Sequence, residues 1–168
     1  CDSIDCKVDP PLQTPRDNAA LWNGFRDGRI AILASDHAPH LPEEKASDAP
    51  PSGIPGVETM LPLMLQQVAT GNLELGRLVN AMAEAPADRL GLSRGRIAPG
   101  QPADLIEVNL RAGRPVALEQ LHSRAGWSPY EGWDAIFPKR VWRRGELVAA
   151  DGELQALRGG QALFTAQP

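Results

Sequence analysis

The sequence has little of three things that would point directly to a class of function: cysteine, long apolar runs and excess charge of one sign. Its 168 residues include only two cysteines, Cys1 and Cys6, which are too few for a disulfide framework or a structural zinc site. We interpret both as free thiols in a reducing compartment, which predicts a cytoplasmic protein. No apolar stretch approaches the roughly 20 residues of a membrane-spanning helix. The net charge of −4 arises from interspersed acids and bases, so neither a membrane nor a nucleic acid is expected as a partner.

The most informative segment is an apolar run that ends in an acid and two histidines. Residues 30–34 read Ile-Ala-Ile-Leu-Ala, which is typical of a parallel strand covered on both faces. After Ser35, residues 36–40 read Asp-His-Ala-Pro-His. Polar residues just beyond such a strand are where barrel and open α/β enzymes place their sites. A buried strand followed by an ordinary exposed loop would look the same at this position alone.

Helix signals surround this segment. Capping and stop signals predict a first helix over residues 14–28. Apolar residues at helical spacing predict two more, over residues 57–69 and 73–83. Pro86 opens a short fourth helix that Gly91 ends. Residues 5–8 read as the end of a strand. With the first helix and the apolar strand they form a βαβ pattern, which predicts parallel pairing.

The second half of the chain has the sequence pattern of strands and turns rather than of helices. Residues 104–108 form a candidate strand, and residues 141–148 form a candidate hairpin around Arg144 and Gly145. Nothing beyond Gly152 indicates order. A β-rich tail of this kind cannot close a core alone, and the preceding helices would leave apolar faces uncovered. We therefore expect this chain, which begins with cysteine rather than methionine, to be part of a longer protein.

Six short motifs, taken together, resemble the dihydroorotases of the amidohydrolase superfamily, most closely their archaeal-type members. The motifs are Lys-Val-Asp-Pro-Pro-Leu at 7–12, Asp-His-Ala-Pro-His at 36–40, Glu-Lys at 44–45, Gly-Ile-Pro-Gly-Val-Glu-Thr at 53–59, Gly-Gln-Pro-Ala-Asp-Leu at 100–105 and Gly-Trp-Ser-Pro-Tyr-Glu-Gly at 126–132. The second motif is diagnostic by itself. The others are moderate alone, but their order and spacing argue against chance.

The resemblance implies an α/β fold, with the C-terminal part of a metal-dependent (β/α)8 barrel followed by strands of a small β-sandwich domain. On this basis the chain divides into barrel residues 1–92, β-sandwich residues 93–152 and a tail of uncertain order, 153–168. Asp36 would end the eighth strand, ligate zinc and carry a proton from the attacking nucleophile to the departing amide nitrogen. The complete enzyme would hold one or two zinc ions, with the remaining ligands preceding this chain.

The resemblance also implies a set of substrate-binding residues. His40 matches the position that holds the substrate carboxylate, and Ser52 and Gly53 match a pair whose backbone contacts the substrate ring. Gly53 would permit close backbone approach, as a turn glycine also would. Two positions depart from the family pattern: Asp9 replaces a substrate-binding asparagine, and Gln13 replaces an arginine. An ionised acid at position 9 could accept hydrogen bonds but not donate them.

The remaining motif residues are expected to be structural. His37 would hydrogen-bond within the barrel mouth, and Glu58 and Thr59 would fix the start of the following helix. His122, the third histidine, is not a substitute for the missing metal ligands.

The function implied is the interconversion of L-dihydroorotate and N-carbamoyl-L-aspartate in pyrimidine biosynthesis, with the isolated chain inactive. Two alternatives stay open. One is a related cyclic amidohydrolase, such as an allantoinase or a hydantoinase. The other is a non-catalytic dihydroorotase-like protein that assembles with a carbamoyltransferase, which Asp9 and Gln13 would favour. A homo-oligomer is a further possibility for the assembly.

Overall fold

The computed structural model describes residues 6–155 and 159–163, with helices in the first half of the chain and strands in the second. The α-helices are α1 (Pro15–Arg26), α2 (Pro42–Lys45), α3 (Met60–Ala69), α4 (Leu75–Val79) and α5 (Ala85–Arg89), with a π-helical segment at Asn80–Glu84 and a 3-10 turn at Leu118–Gln120. The strands are β1 (Leu105–Glu107), β2 (Arg114–Pro115), β3 (Asp134–Ala135), β4 (Arg140–Arg143), β5 (Glu146–Ala150) and β6 (Glu153–Leu154). The predicted change from helix to strand after Gly91 is therefore confirmed.

Helix α1 forms where the capping signals predict it. The Asp17 N–H donates to the Thr14 hydroxyl, and the Asp17 carboxylate accepts from the Thr14 N–H, which completes a capping box. Pro15 occupies the first helical position, where a missing N–H costs nothing. Helix α3 begins at Met60, three residues later than predicted, because the chain first turns at Gly56, whose carbonyl accepts from the Thr59 N–H at 3.2 Å.

Helices α4 and α5 are joined by the π-helical segment into one continuous helix, where the sequence predicted a break before Pro86. The Ala85 N–H bonds to the Asn80 carbonyl, five residues back. With hydrogen bonds spaced five residues apart, the Ala81 carbonyl would accept from the backbone N–H of residue 86. Pro86 has no N–H, so this bond cannot form. The freed Ala81 carbonyl accepts instead from the Leu33 N–H at 3.1 Å. The helix thereby fixes the segment that leads to Asp36.

Residues 30–34 do not form the buried strand that the sequence predicts. They carry no regular strand assignment, and Ile32 is 38% exposed. The segment is held from the helical side, because the Arg77 guanidinium donates to the carbonyls of Ile30 and Ala31. A parallel strand needs neighbours to satisfy its backbone edges, and no strand lies beside this segment in the part of the chain that the structure describes.

The strands form two antiparallel sheets within the described ranges. One has the order β1-β4-β5-β6, and the other pairs β2 with β3. The predicted hairpin is confirmed: β4 and β5 are joined by Arg144 and Gly145, both with positive φ (50° and 81°), which suits a right-twisted two-residue turn. Asp151 and Gly152 repeat this conformation (51° and 90°) and lead into β6, a strand that the sequence did not predict.

The core lies between the helices and a few residues of the β-rich half, namely Ile136 with Val108 and Leu110 packed against it. Its buried members are Phe25, Leu65, Leu73, Leu78, Ala81 and Ile136. The Ile136 N–H donates to the Pro62 carbonyl at 3.0 Å, so the end of β3 is attached to α3 by both packing and a backbone hydrogen bond.

Two further expectations can be compared with the structure. Cys6 is disulfide-bonded, so the prediction of a free thiol at this position is wrong; Cys1 lies outside the described residues. None of the helices described here is long and apolar enough to cross a membrane.

Candidate active site

The structure places the segment that contains Asp36 and His40 directly beside the segment that contains Ser52 and Gly53. A parallel β-bridge joins His37 to Ile54, and the Ala38 N–H donates to the Ile54 carbonyl at 3.2 Å. Four of the five predicted site residues therefore lie on two adjoining stretches of backbone. This pairing is the one parallel contact recorded among the described residues.

Glycines allow these two stretches to approach closely. Gly53 has φ of 136°, and a Cβ at this position would lie 2.5 Å from the Ala38 carbonyl oxygen and 2.6 Å from the Ala38 Cβ. A Cβ on Gly56 would lie 3.1 Å from the Ser35 carbonyl oxygen. Gly53 therefore allows the backbone to pack closely against the Asp-His-Ala-Pro-His segment, whereas its predicted contact with the substrate ring stays a prediction.

The His37 side chain connects these two segments through hydrogen bonds. Its Nδ1 accepts from the Gly56 N–H at 3.0 Å and from the Val57 N–H at 3.3 Å. As the acceptor of both bonds, Nδ1 ties the ring to the backbone of residues 56 and 57. This is the structural role that the sequence predicts for His37.

Asp36 stands at the edge of this arrangement with a strained backbone. Its φ of 46° lies in the left-handed region, where aspartate is one of the few tolerated residues. The residue is exposed, and no hydrogen bond to its carboxylate is formed within the described residues. Strained, solvent-facing residues of this kind cluster at functional sites.

His40 is held through its backbone and remains partly accessible through its side chain. The Trp127 indole N–H donates to the His40 carbonyl at 2.8 Å. The imidazole is 28% exposed, and its Nδ1 lies 3.6 Å from the Glu44 carboxylate. That carboxylate also accepts from the Leu41 N–H at 2.8 Å, so Glu44 fixes the start of α2 next to His40.

Asp9 approaches the same place through its neighbour Lys7. The Gly53 N–H donates to the Lys7 carbonyl at 2.9 Å, and the Lys7 ammonium donates to the Pro50 carbonyl at 2.7 Å. Asp9 follows two residues later and is exposed. The structure thus brings the stretch around Asp9 to the loop that contains Ser52, and the Asp9 carboxylate faces solvent.

The sequence did not predict the residues that hold these segments together. Lys45 is fully buried, with 0% exposure, and the sequence identifies it only as part of the Glu-Lys motif. Glu58 was expected to fix the start of α3. Its carboxylate instead accepts from the backbone N–H groups of His122 and Ser123, at 2.9 and 2.8 Å, which attaches the loop that precedes Trp127. That expectation for Glu58 was wrong, because a contact across 64 residues leaves no local signal.

Tyr130, on the same loop as Trp127, is a further residue with a perturbed environment. Burial raises the pKa of its phenol above the ordinary value of 10.0. Its ring packs edge-on against Trp133 with centroids 5.6 Å apart. The phenol is therefore protonated and uncharged at neutral pH.

Comparison with known proteins identifies the family. A sequence profile of the amidohydrolase family matches residues 13–148. The chain belongs to the amidohydrolase family. The dihydroorotase of Methanosarcina acetivorans is 44% identical over 158 residues, which are 91% of this chain and 34% of that protein.

Solved structures agree on the fold. The D-hydantoinase (dihydropyrimidinase) from a Thermus species superposes with a TM-score of 0.86 at 27% identity, over 92% of this chain and 36% of that one. The L-hydantoinase (dihydropyrimidinase) of Arthrobacter aurescens superposes with a TM-score of 0.83 at 35% identity, over 89% of this chain and 35% of that one. The chain is thus a portion of an amidohydrolase (β/α)8 barrel, and it spans about a third of the length of the relatives it matches.

Proposed function

We propose that this chain forms the C-terminal part of a dihydroorotase, a zinc-dependent enzyme that interconverts L-dihydroorotate and N-carbamoyl-L-aspartate in pyrimidine biosynthesis. One observation carries the proposal. The Asp36–His40 stretch pairs with the loop that contains Ser52 and Gly53, in a chain 44% identical to a dihydroorotase over 91% of its length.

Asp36 is proposed as the catalytic acid–base. It is exposed and conformationally strained, and no group in the described ranges occupies its carboxylate. A carboxylate held beside a reacting carbonyl can take a proton from the attacking nucleophile and return it to the departing amide nitrogen. The parallel pairing next to it, together with His37, fixes the backbone from which it acts.

The neighbouring residues are proposed to bind the substrate. His40 would contact the substrate carboxylate through its accessible imidazole. Ser52 and Gly53 would present backbone groups to the ring. The Gly53 N–H is donated to the Lys7 carbonyl, so the pair would act through its other backbone groups. Asp9, where the family has asparagine, would accept hydrogen bonds from ring nitrogens.

Zinc fits this arrangement only in part. A catalytic zinc site takes about three protein ligands, and within residues 6–155 and 159–163 no group of three or more His, Cys, Asp or Glu side chains converges. Asp36 would supply one carboxylate of a larger set. When bound, zinc lowers the pKa of water and polarises a carbonyl; one or two ions belong to the proposal for the complete enzyme.

Asp36→Asn in the complete protein tests the central role. Asparagine also adopts positive φ, so the fold should be retained, whereas kcat for dihydroorotate hydrolysis should fall on the order of 10²–10⁴-fold. Asp151→Asn is a matched control, because Asp151 has nearly the same φ, 51°, in a surface turn. The control should leave kcat unchanged. An Asp36→Asn enzyme with most of its kcat would refute the assignment.

His40→Ala gives the complementary result. It should raise KM for dihydroorotate more than it lowers kcat, because the imidazole is assigned to ground-state as well as transition-state binding. A loss confined to kcat would move His40 from binding to catalysis.

A related cyclic amidohydrolase is the second candidate, favoured by the hydantoinase structures that superpose on this chain. Assays of the complete protein with dihydroorotate, a hydantoin and allantoin separate the candidates, since the proposal requires dihydroorotate to have the highest kcat/KM. A non-catalytic protein that assembles with a carbamoyltransferase would be inactive on all three. The barrel and sandwich division at residues 92 and 93, a homo-oligomer and a cytoplasmic location stay predictions.

A further inference from the structure

Lys45 is a fully buried lysine beside the candidate active site. Its side chain has 0% exposure, although lysine is among the residues least often buried. It is the last residue of α2, five positions after His40. A lysine on a helix usually keeps its ammonium in water, so the complete burial of Lys45 requires another explanation.

The ammonium group of Lys45 donates to three backbone carbonyls. It donates to the carbonyls of Gly53 at 2.9 Å, Pro51 at 3.1 Å and Lys7 at 3.2 Å. An ammonium has three donors, so it can bond to several backbone carbonyls at once. Burying a charged amine is costly unless such bonds compensate, so the three carbonyls and the lysine stabilise one another's placement.

The three carbonyls belong to the stretches that carry the proposed substrate-binding residues. Pro51 and Gly53 flank Ser52 in sequence, so the two bonds fix the backbone on both sides of it. Lys7 precedes Asp9 by two residues and also accepts from the Gly53 N–H.

A fourth contact reaches the loop that holds His40. The Lys45 ammonium lies 5.9 Å from the centroid of the Trp127 ring, within the range of a cation–π interaction. The same Trp127 donates its indole N–H to the His40 carbonyl. The Lys45 ammonium thus contacts the stretches that carry Asp9 and Ser52 directly, and it reaches the His40 segment through Trp127.

We infer that Lys45 is a positioning residue that sets the geometry of the loop around Ser52 and Gly53 for substrate. This inference rests on the proposed function for the identity of the substrate. Its structural content, that one buried ammonium orders three separate segments, can be tested without turnover. A shift of about 1 Å in such a loop can reduce rates on the order of a hundredfold.

The test uses Lys45→Met and Lys45→Gln in the complete protein, with Lys139→Met as the matched control. Methionine keeps the length of the side chain and removes all donors, whereas glutamine keeps an amide with two. Lys139 is 48% exposed on the β-rich half. Two quantities are measured: amide hydrogen exchange by peptide, and kcat and KM for dihydroorotate.

The expected result is local. In Lys45→Met, exchange in residues 36–40 and 50–56 should rise at least about tenfold while α1 keeps its protection. KM should rise on the order of tenfold to a hundredfold, by more than kcat falls. Lys45→Gln should be intermediate and Lys139→Met should match the wild type. If Lys45→Met does not fold, Lys45→Gln decides alone.

Two results would overturn the inference. Wild-type exchange and KM in both Lys45 variants would show that the bonds do not order the loop. A uniform loss of protection that includes α1 would show a role in general stability only. If the wild-type protein does not hydrolyse dihydroorotate, the proposed function fails, and the exchange data alone then decide whether Lys45 orders these segments.

Discussion

At the scale of single residues, the candidate site depends on backbone conformations that most side chains cannot adopt. Asp36 and Gly53 both have positive φ, 46° and 136°, and they stand on the two segments that the His37–Ile54 bridge joins. Strain at Asp36 is tolerated because the surrounding hydrogen bonds determine its placement. Gly53 is required for a second reason, since the Ala38 carbonyl occupies the space of a Cβ.

Gly53→Ala should therefore destabilise the protein more than an ordinary substitution of a glycine with positive φ. Positive φ alone costs an alanine about 1 kcal/mol, and the overlap with Ala38 should bring the total to roughly 2–4 kcal/mol. Gly100→Ala is the matched control, because Gly100 has φ of 85° and no atom within 4 Å of a Cβ. Urea unfolding of the two variants measures the difference. Equal costs would mean that the two segments separate readily.

At the scale of elements, the continuous helix from α4 to α5 holds the backbone of the segment that leads to Asp36. Because Pro86 has no N–H, the Ala81 carbonyl has no partner within the helix. It accepts from the Leu33 N–H instead. The far end of the helix is held by a paired contact, since the Arg96 guanidinium donates to both Asp88 oxygens at 2.8 and 2.7 Å. That guanidinium lowers the pKa of the Asp88 carboxyl below its ordinary value of 3.8, so the pair persists at neutral pH and is lost only as the pH falls below that value.

Pro86→Ala should weaken the link between this helix and the segment that leads to Asp36. The alanine at residue 86 has a backbone N–H that can donate to the Ala81 carbonyl within the helix. It would compete there with the Leu33 N–H. Since one hydrogen bond contributes about 1 kcal/mol, exchange of the Leu33 amide should rise roughly five- to tenfold. Pro15→Ala is the control, because Pro15 occupies a first helical position where no carbonyl is released. An unchanged Leu33 amide in Pro86→Ala would contradict this account of the π-helical segment.

At the scale of the whole molecule, local signals were predictable from the sequence and contacts between distant residues were not. The capping box of Thr14 and Asp17 and the turn at Arg144 and Gly145 are encoded within a few residues, and both are present. The prediction of a strand at residues 30–34 was wrong, because the stability of such a strand depends on neighbouring strands rather than on its own apolar character. The family resemblance implied that Asp36, His40, Ser52 and Gly53 serve one site. The direct pairing of their two stretches of backbone and the contacts of Lys45 and Glu58 became visible only in three dimensions.

The whole molecule also presents apolar side chains to solvent. Leu12, Ile32 and Val57 are 64%, 38% and 54% exposed, and Ile32 lies on the segment predicted to be a buried strand. Surfaces of this kind are normally covered by other parts of a fold or by a partner. Residues 1–168 expressed alone should therefore self-associate, which size-exclusion chromatography measures directly.

The last prediction concerns the metal. Residues 1–168 alone should bind no stoichiometric zinc and should not hydrolyse dihydroorotate, because Asp36 is one ligand where a site needs about three. Adding the remaining part of the proposed full-length dihydroorotase, in the same chain or as a separate one, should restore zinc first and turnover with it. The same reconstitution with Asp36→Asn should show much lower turnover, which assigns the recovered activity to this chain. Metal analysis and a dihydroorotate assay on each preparation provide the test. One tightly bound zinc per isolated chain, with turnover, would mean that other residues of this chain build the site.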